Sequence, residues 1–360
     1  MQSPGSSEIN KLIEVAETGL GVGSELRDPP PEMPEPGRRA FPIHEAVPAS
    51  PKFFFASREP IRPPIARRIC EGGFRMAEFR RIIPWQGFDK YSVPVWQMVP
   101  LNGPPRYVCL RDGAGLTVTS TDPAALKITE ITSVQLPAGD KDPIHAGDRF
   151  FKLEGKSWEI VTVSATTKAG LDVAQLEVDI KKRVDKKLAF NFVSDNAGHH
   201  TVRAAASATQ WTSGINWIYN GQTNIFFTKI AARPVTIGQD LGPVVRFAKG
   251  VAGVPISEHE WDIVVAKGEP TADMNFFMVW EYEQSALTVI DGTDAGTLGG
   301  NCIFEDHAGS QIVESMAHEV GHFLKCKDQY IAARSYELMY GITDTRGAHI
   351  GKQHANIMNL

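Results

Sequence analysis

The chain is poor in cysteine, in basic excess and in long apolar runs, and each shortage removes a class of protein. Only four of its 360 residues are cysteine (Cys70, Cys109, Cys302 and Cys326). That is too few for a disulfide framework, and their spacing matches no structural zinc module. The expected state of Cys326 is a buried free thiol rather than a bridge to Cys302. Acidic residues outnumber basic ones, 42 to 37, for a net charge of −5, so there is no electrostatic case for a nucleic-acid partner. No apolar stretch approaches the roughly 20 residues that span a bilayer. The start, Met1 to Glu8, has neither the basic beginning nor the apolar centre of a secretory signal. The expectation is a cytoplasmic protein, or one exported by a signal-independent route.

What is present is the composition of a soluble globular protein, 42% hydrophobic and 22% charged, long enough for two or three domains. Residues 1–52 hold the proline-dense Asp28 to Gly37 and read as a flexible leader. In 53–96 arginines alternate with aromatics (Arg67, Arg68, Phe74, Arg75, Phe79, Arg80, Trp85), which suits an extension or a prosegment lying across another domain. Residues 97–183 change to short alternating runs such as Gly115–Ser120, Leu126–Ile131, Trp158–Val163 and Leu176–Ile180, separated by turn signals. That pattern predicts a small antiparallel sandwich.

From 184 to 360 the pattern is α+β. Strands are expected at Lys187–Val193, Asn224–Phe227, Trp261–Val265, Phe276–Tyr282 and Asn301–Phe304, with a helix capped by Asp195-Asn196 and running to about Trp211. A second helix should follow Gly309-Ser310, because Ile312, Val313, Met316, Ala317, Val320, Phe323 and Leu324 recur at three- and four-residue spacings.

That helix carries the chain's chemistry. His318, Glu319 and His322 spell H-E-x-x-H. Two imidazoles four residues apart differ by about 40° around a helix, so both can reach one ion on one face. Zinc (Zn2+) takes neutral nitrogen ligands tetrahedrally, and a catalytic site leaves one position for water. Glu319 stands beside that position as a general base rather than as a third ligand. The competing account is a solvated helix face that happens to carry these three residues, but its apolar neighbours are those of a half-buried helix.

Downstream, Lys325-Cys326-Lys327-Asp328 gives the stretch a likeness to zinc peptidases of the metzincin clan, in the aspartate variant of the snapalysin-like branch. The resemblance implies Asp328 as third metal ligand, six residues after His322. Lys325 departs from the pattern, standing where the clan has glycine. Either it adopts the positive φ that glycine would, or the helix ends differently. Leu338-Met339-Tyr340 resembles the clan's methionine turn, and Ile357-Met358-Asn359 is a second match. Met339 is preferred because it leaves room for a further helix from about Lys352. Tyr340 is then the candidate for oxyanion stabilisation, although it follows the methionine by one residue rather than two. His349, His354 and Glu337 are reserve ligands.

The resemblance implies a zincin-like catalytic domain at 184–360, a zinc cofactor and a protein or peptide substrate laid along a strand edge. Residues 97–183 resemble bacterial immunoglobulin-like modules, which implies a spacer or adhesion role. The expectation is thus a zinc metalloendopeptidase, preceded by an immunoglobulin-like sandwich. Two alternatives are a binding or adhesion protein with an inert zincin-like domain, and a metal hydrolase acting on a non-peptide substrate. His199-His200 is a further candidate for an ion, and Asp291 to Asp294 reads as a turn. Cys70 as a thiolate blocking the metal has little support, since its neighbours match no such prosegment.

Overall fold

The computed structural model of the chain describes residues 77–246, 260–283, 295–306, 312–342 and 346–360. The leader, Cys70, Ser310 and Asp291 to Asp294 lie outside the described residues.

Two β-sheets occupy the first hundred described residues. One has the order β1 (Glu78–Arg81), β4 (Arg106–Arg111), β7 (Arg149–Gly155), β6 (Leu126–Ile131). The other runs β2 (Phe88–Asp89), β3 (Val95–Pro100), β9 (Asp172–Lys181), β8 (Ile160–Thr166), β5 (Thr117–Ser120). Phe79, Val108, Leu110, Phe151 and Leu153 from the first sheet share one apolar core with Val99, Val161, Val163, Leu176 and Val178 from the second. Alternation explains it: in β8, buried Val161, Val163 and Ala165 interleave with partly exposed Thr162, Ser164 and Thr166. Two features differ from the sequence reading. The unit begins at Glu78, inside the stretch read as an extension, and β3 pairs with β9 in parallel rather than antiparallel fashion.

The remainder is a five-stranded sheet in the order β11 (Ile225–Thr236), β10 (Val184–Ser194), β13 (Met274–Val279), β16 (Asn301–Glu305), β15 (Ala295–Leu298). The first four are mutually parallel, and β15 returns antiparallel to β16 at the edge. A two-residue pair, β12 (Val245–Arg246) with β14 (Tyr282–Glu283), lies outside that sheet. Both faces of the large sheet are covered. Phe190, Phe276, Met278, Cys302 and Phe304 pack on one side with the helices α1 (Ser207–Thr223), α3 (Ile312–Phe323) and α4 (Lys352–Met358). Val193, Phe277, Val279 and Ile303 pack on the other with α2 (Glu260–Val265). Strands buried on both faces read as unbroken apolar runs, which is why Met274–Val279 carries so little polarity.

Two elements differ from expectation here as well. Trp261–Val265 is helical: Trp261 and Val264 are buried at a spacing of three, and a short apolar run does not distinguish helix from strand. The helix expected from Asp195 starts only at Ser207. The Asp195 carboxylate instead accepts the amide hydrogens of Ala197, His199 and Leu241, holding a loop. Helix α1 ends on Asn224 in the left-handed conformation, φ 59°, a usual stop signal.

The two units are packed as one body. Trp96 and Met98 of β3 belong to the core that holds α1, α3 and α4. The buried Arg106 guanidinium donates to the Gly221 carbonyl of α1 at 3.1 Å, and Lys181 donates to the Asn359 carbonyl at 2.7 Å. No helix among the described residues is long and apolar enough to cross a membrane.

Candidate metal centre

Helix α3 buries Met316, Ala317 and Val320 against the main core and brings His318, Glu319 and His322 to its other side. Tyr219 of α1, fully buried, donates its hydroxyl to the Ala317 carbonyl at 2.6 Å and ties the middle of α3 in place. The helix ends in a Schellman motif: the Cys326 amide donates to the Gly321 carbonyl and the Lys325 amide to the His322 carbonyl, each at 2.9 Å. This needs a left-handed residue after the helix, and Lys325 takes φ +73°. The chain therefore turns as a glycine would make it turn.

The turn delivers Asp328 to the imidazoles. Its Oδ1 lies 3.0 Å from His318 Nε2 and 3.5 Å from His322 Nε2, and the two Nε2 atoms are 3.1 Å apart. The edges of a tetrahedral zinc site with bonds of about 2.0–2.1 Å are about 3.4 Å long. His318 Nδ1 is 2.9 Å from the Leu338 carbonyl, and His322 Nδ1 is 3.0 Å from the Cys326 carbonyl. A carbonyl only accepts, so both Nδ1 atoms carry the hydrogen, and in the neutral rings both Nε2 atoms are bare lone pairs. In that tautomer two lone pairs and a carboxylate oxygen converge on one point. Such an arrangement is repulsive unless a cation occupies its centre, and the donor set fits zinc. Asp328 keeps about a third of its side chain exposed (32%).

A carboxylate oxygen of Glu319 and ring nitrogens of His318 and His322 lie within 4.8 Å of one another, about the span of one bridging water. Glu319 accepts the Thr297 hydroxyl at 2.6 Å on Oε2. Thr297, on the edge strand β15, escapes sequence reading. The signal that could have placed it is Gly299-Gly300, a two-residue hairpin turn between Leu298 and Asn301.

Met339 is fully buried beneath the helix, its sulfur against Gly321, the residue before His322. Met358 lies in α4 and joins the same core. Tyr340 is buried, and its backbone pairs with Gln329. The phenol against the ligand set is Tyr330, whose hydroxyl is 3.4 Å from Asp328 Oδ2. Of the reserve ligands, Glu337 is ion-paired with Arg334 at 2.6 Å, with His354 Nδ1 3.5 Å from its other oxygen. The ring of His349 sits beside Tyr336. Asp328, rather than any of these three, is the residue brought against the two Nε2 atoms.

The remaining candidates lie away from α3. Asp195 Oδ2 lies 2.8 Å from His199 Nδ1 and also takes the Leu241 amide, while Asp240 is 3.8 Å from the same nitrogen. His200 faces the Gly198 carbonyl. Asp195, His199 and Asp240 thus place ligand atoms within 4.8 Å of one another, a second group able to hold a metal ion, while Asp195 also clamps its loop. Cys302 and Cys326 are free, buried thiols. A cavity of about 500 Å3 lies apart from the ligand set, lined among others by Asp89, Tyr91, Arg334 and Lys352, whose cations already pair with Glu337 and Glu177.

No protein family matches the chain, and no curated protein matches it either. Among solved structures, it is similar to an archaemetzincin from Methanopyrus kandleri, with 12% identity and a TM-score of 0.32 over 48% of this chain and 93% of that one. That likeness is weak. Within the chain itself, His318, Glu319 and His322 form a group able to hold a metal ion.

Proposed function

We propose that the chain is a zinc-dependent endopeptidase of metzincin type, with His318, His322 and Asp328 as ligands and Glu319 as general base. The observation that carries this reading is the convergence of two Nε2 atoms and one carboxylate oxygen within 3.5 Å of one another. Zinc bound there would acidify a water and polarise the scissile carbonyl. Glu319, one water away, takes that water's proton on its carboxylate and passes it to the departing amine. The Leu338 and Cys326 carbonyls hold the imidazoles in the tautomer that leaves Nε2 free. Met339 fills the floor under Gly321.

A structural zinc would use a fourth protein ligand, whereas this set has three and a carboxylate set back from them, which favours hydrolysis over an inert site. Among the described residues β15 is an edge strand, and an edge that offers its backbone to an extended peptide favours a peptide over other substrates. For the amino-terminal unit the reading is an immunoglobulin-like sandwich. What supports it is a four-stranded sheet, β1-β4-β7-β6, that shares one core with a five-stranded sheet, β2-β3-β9-β8-β5, although the parallel β3–β9 pair departs from the antiparallel sheets of that fold.

The test is metal analysis of the purified protein together with digestion of a peptide library. One zinc per chain and zinc-dependent cleavage are expected. Glu319→Gln should keep the metal and lose about 10²–10⁴-fold in rate. A protein that binds no zinc, or a Glu319→Gln variant that cleaves as well as the parent, overturns the proposal.

A further inference from the structure

Thr297 is the only described partner given to the Glu319 carboxylate by hydrogen bonding, and its setting fixes where its hydroxyl points. Strand β15 is the sheet edge, pinned in rotation by its two faces. On one face Gly296 lies against the Tyr282 hydroxyl, where a Cβ would stand 2.5 Å from that oxygen, so the backbone approaches closely and no side chain fits. On the other face Ala295 packs on the core that holds α3, and Thr297, two residues on, shares that face by strand alternation. A β-branched side chain has few χ1 choices, so the hydroxyl is aimed rather than searching. It meets Glu319 Oε2 at 2.6 Å, a short bond of the kind a carboxylate accepts from a hydroxyl. Opposite Thr297 in the ladder is Cys302, whose thiol is pushed up by burial and then by the charge of Glu319, against its hydrogen bond with the Thr297 side chain, so the hydroxyl lies between a neutral thiol and the Glu319 carboxylate.

We infer that Thr297 is a positioning residue for the general base: its hydroxyl holds one oxygen of Glu319 and thereby sets the direction of the other. The inference rests on Glu319 being the base of the proposed peptidase, but the geometry it predicts is independent of turnover. Glutamate has three side-chain torsions, and without the hydroxyl the carboxylate is free to turn. Misplacement of a reacting group by about 1 Å costs on the order of a hundredfold in rate. The same strand is the edge along which an extended substrate would pair, so pairing and base orientation meet in one element.

The test compares Thr297→Val and Thr297→Ser with the parent. The valine variant keeps shape and branching but lacks the hydroxyl. Its zinc content and Tm should match the parent, its kcat should fall about ten- to a hundredfold, and its KM should stay within about twofold. The serine variant should recover kcat to within about threefold of the parent. Crystal structures of the zinc-loaded parent and valine variant give a readout separate from activity. Glu319 should hold one conformer bonded to Thr297 in the parent, and should turn or spread over several in the variant. An unchanged Glu319 in the valine variant overturns the inference even if no substrate is ever found. So does a serine variant as impaired as the valine one. Loss of zinc binding by the parent would instead strike the proposed function.

Discussion

Gly321 and Met339 are in direct contact, with the sulfur lying where a Cβ on Gly321 would have to go. The glycine thus lets Met339 pack directly against the backbone of α3. Gly321→Ala should cost about 1–3 kcal/mol as overpacking. Urea unfolding measures it, and combining it with Met339→Ala should cost less than the sum of the two changes, because the smaller side chain makes room. Strict additivity would mean that the contact does not matter.

Lys325 sits at φ +73°, where a side chain costs about 1 kcal/mol or more and glycine costs nothing. Lys325→Gly should therefore raise stability by up to about 1 kcal/mol and leave zinc affinity unchanged. A β-branched replacement should lower both. Equal stability of the glycine and valine variants would rule out this account of the turn.

Trp96 belongs to the amino-terminal sheets but is fully buried in the core beneath α3. Trp96→Ala should cost about 3–5 kcal/mol and reduce zinc occupancy. A fragment beginning at residue 184 exposes that core and removes the sheet partner of α4, so it should show no cooperative unfolding transition. A folded, zinc-binding fragment would mean that the sandwich is a detachable spacer.

His349 is held neutral: burial pulls its pKa down to about 4, against the attraction of Asp89. The unfolded ring titrates near 6.5, so between about 6.5 and 4 the unfolded chain binds the extra proton. Its contribution is fully present above about 6.5 and is lost progressively as pH falls to about 4. His349→Gln should flatten the stability profile across that window relative to the parent. Parallel profiles from pH 7 to pH 4 would assign the titration to other groups.

The spacing of His318 and His322 was decided by sequence alone, because 3.6 residues per turn puts positions four apart on one face whatever surrounds the helix. So was the alternation that builds β8, since a strand's period of two needs no tertiary information. The short apolar run at Trp261–Val265 could not be read, because helix and strand bury such a run equally well and only packing against Phe277 and Ile303 chose the helix. The tertiary structure alone brought Thr297 to Glu319 across 22 residues of chain, by folding the Gly299-Gly300 hairpin back along the sheet edge. It alone placed Trp96 in one core with Met316, Ala317 and Val320, positions more than two hundred residues away along the chain. Local periodicity is written in neighbouring residues, whereas such long-range meetings depend on which strand pairs with which, and that order is a property of the whole chain.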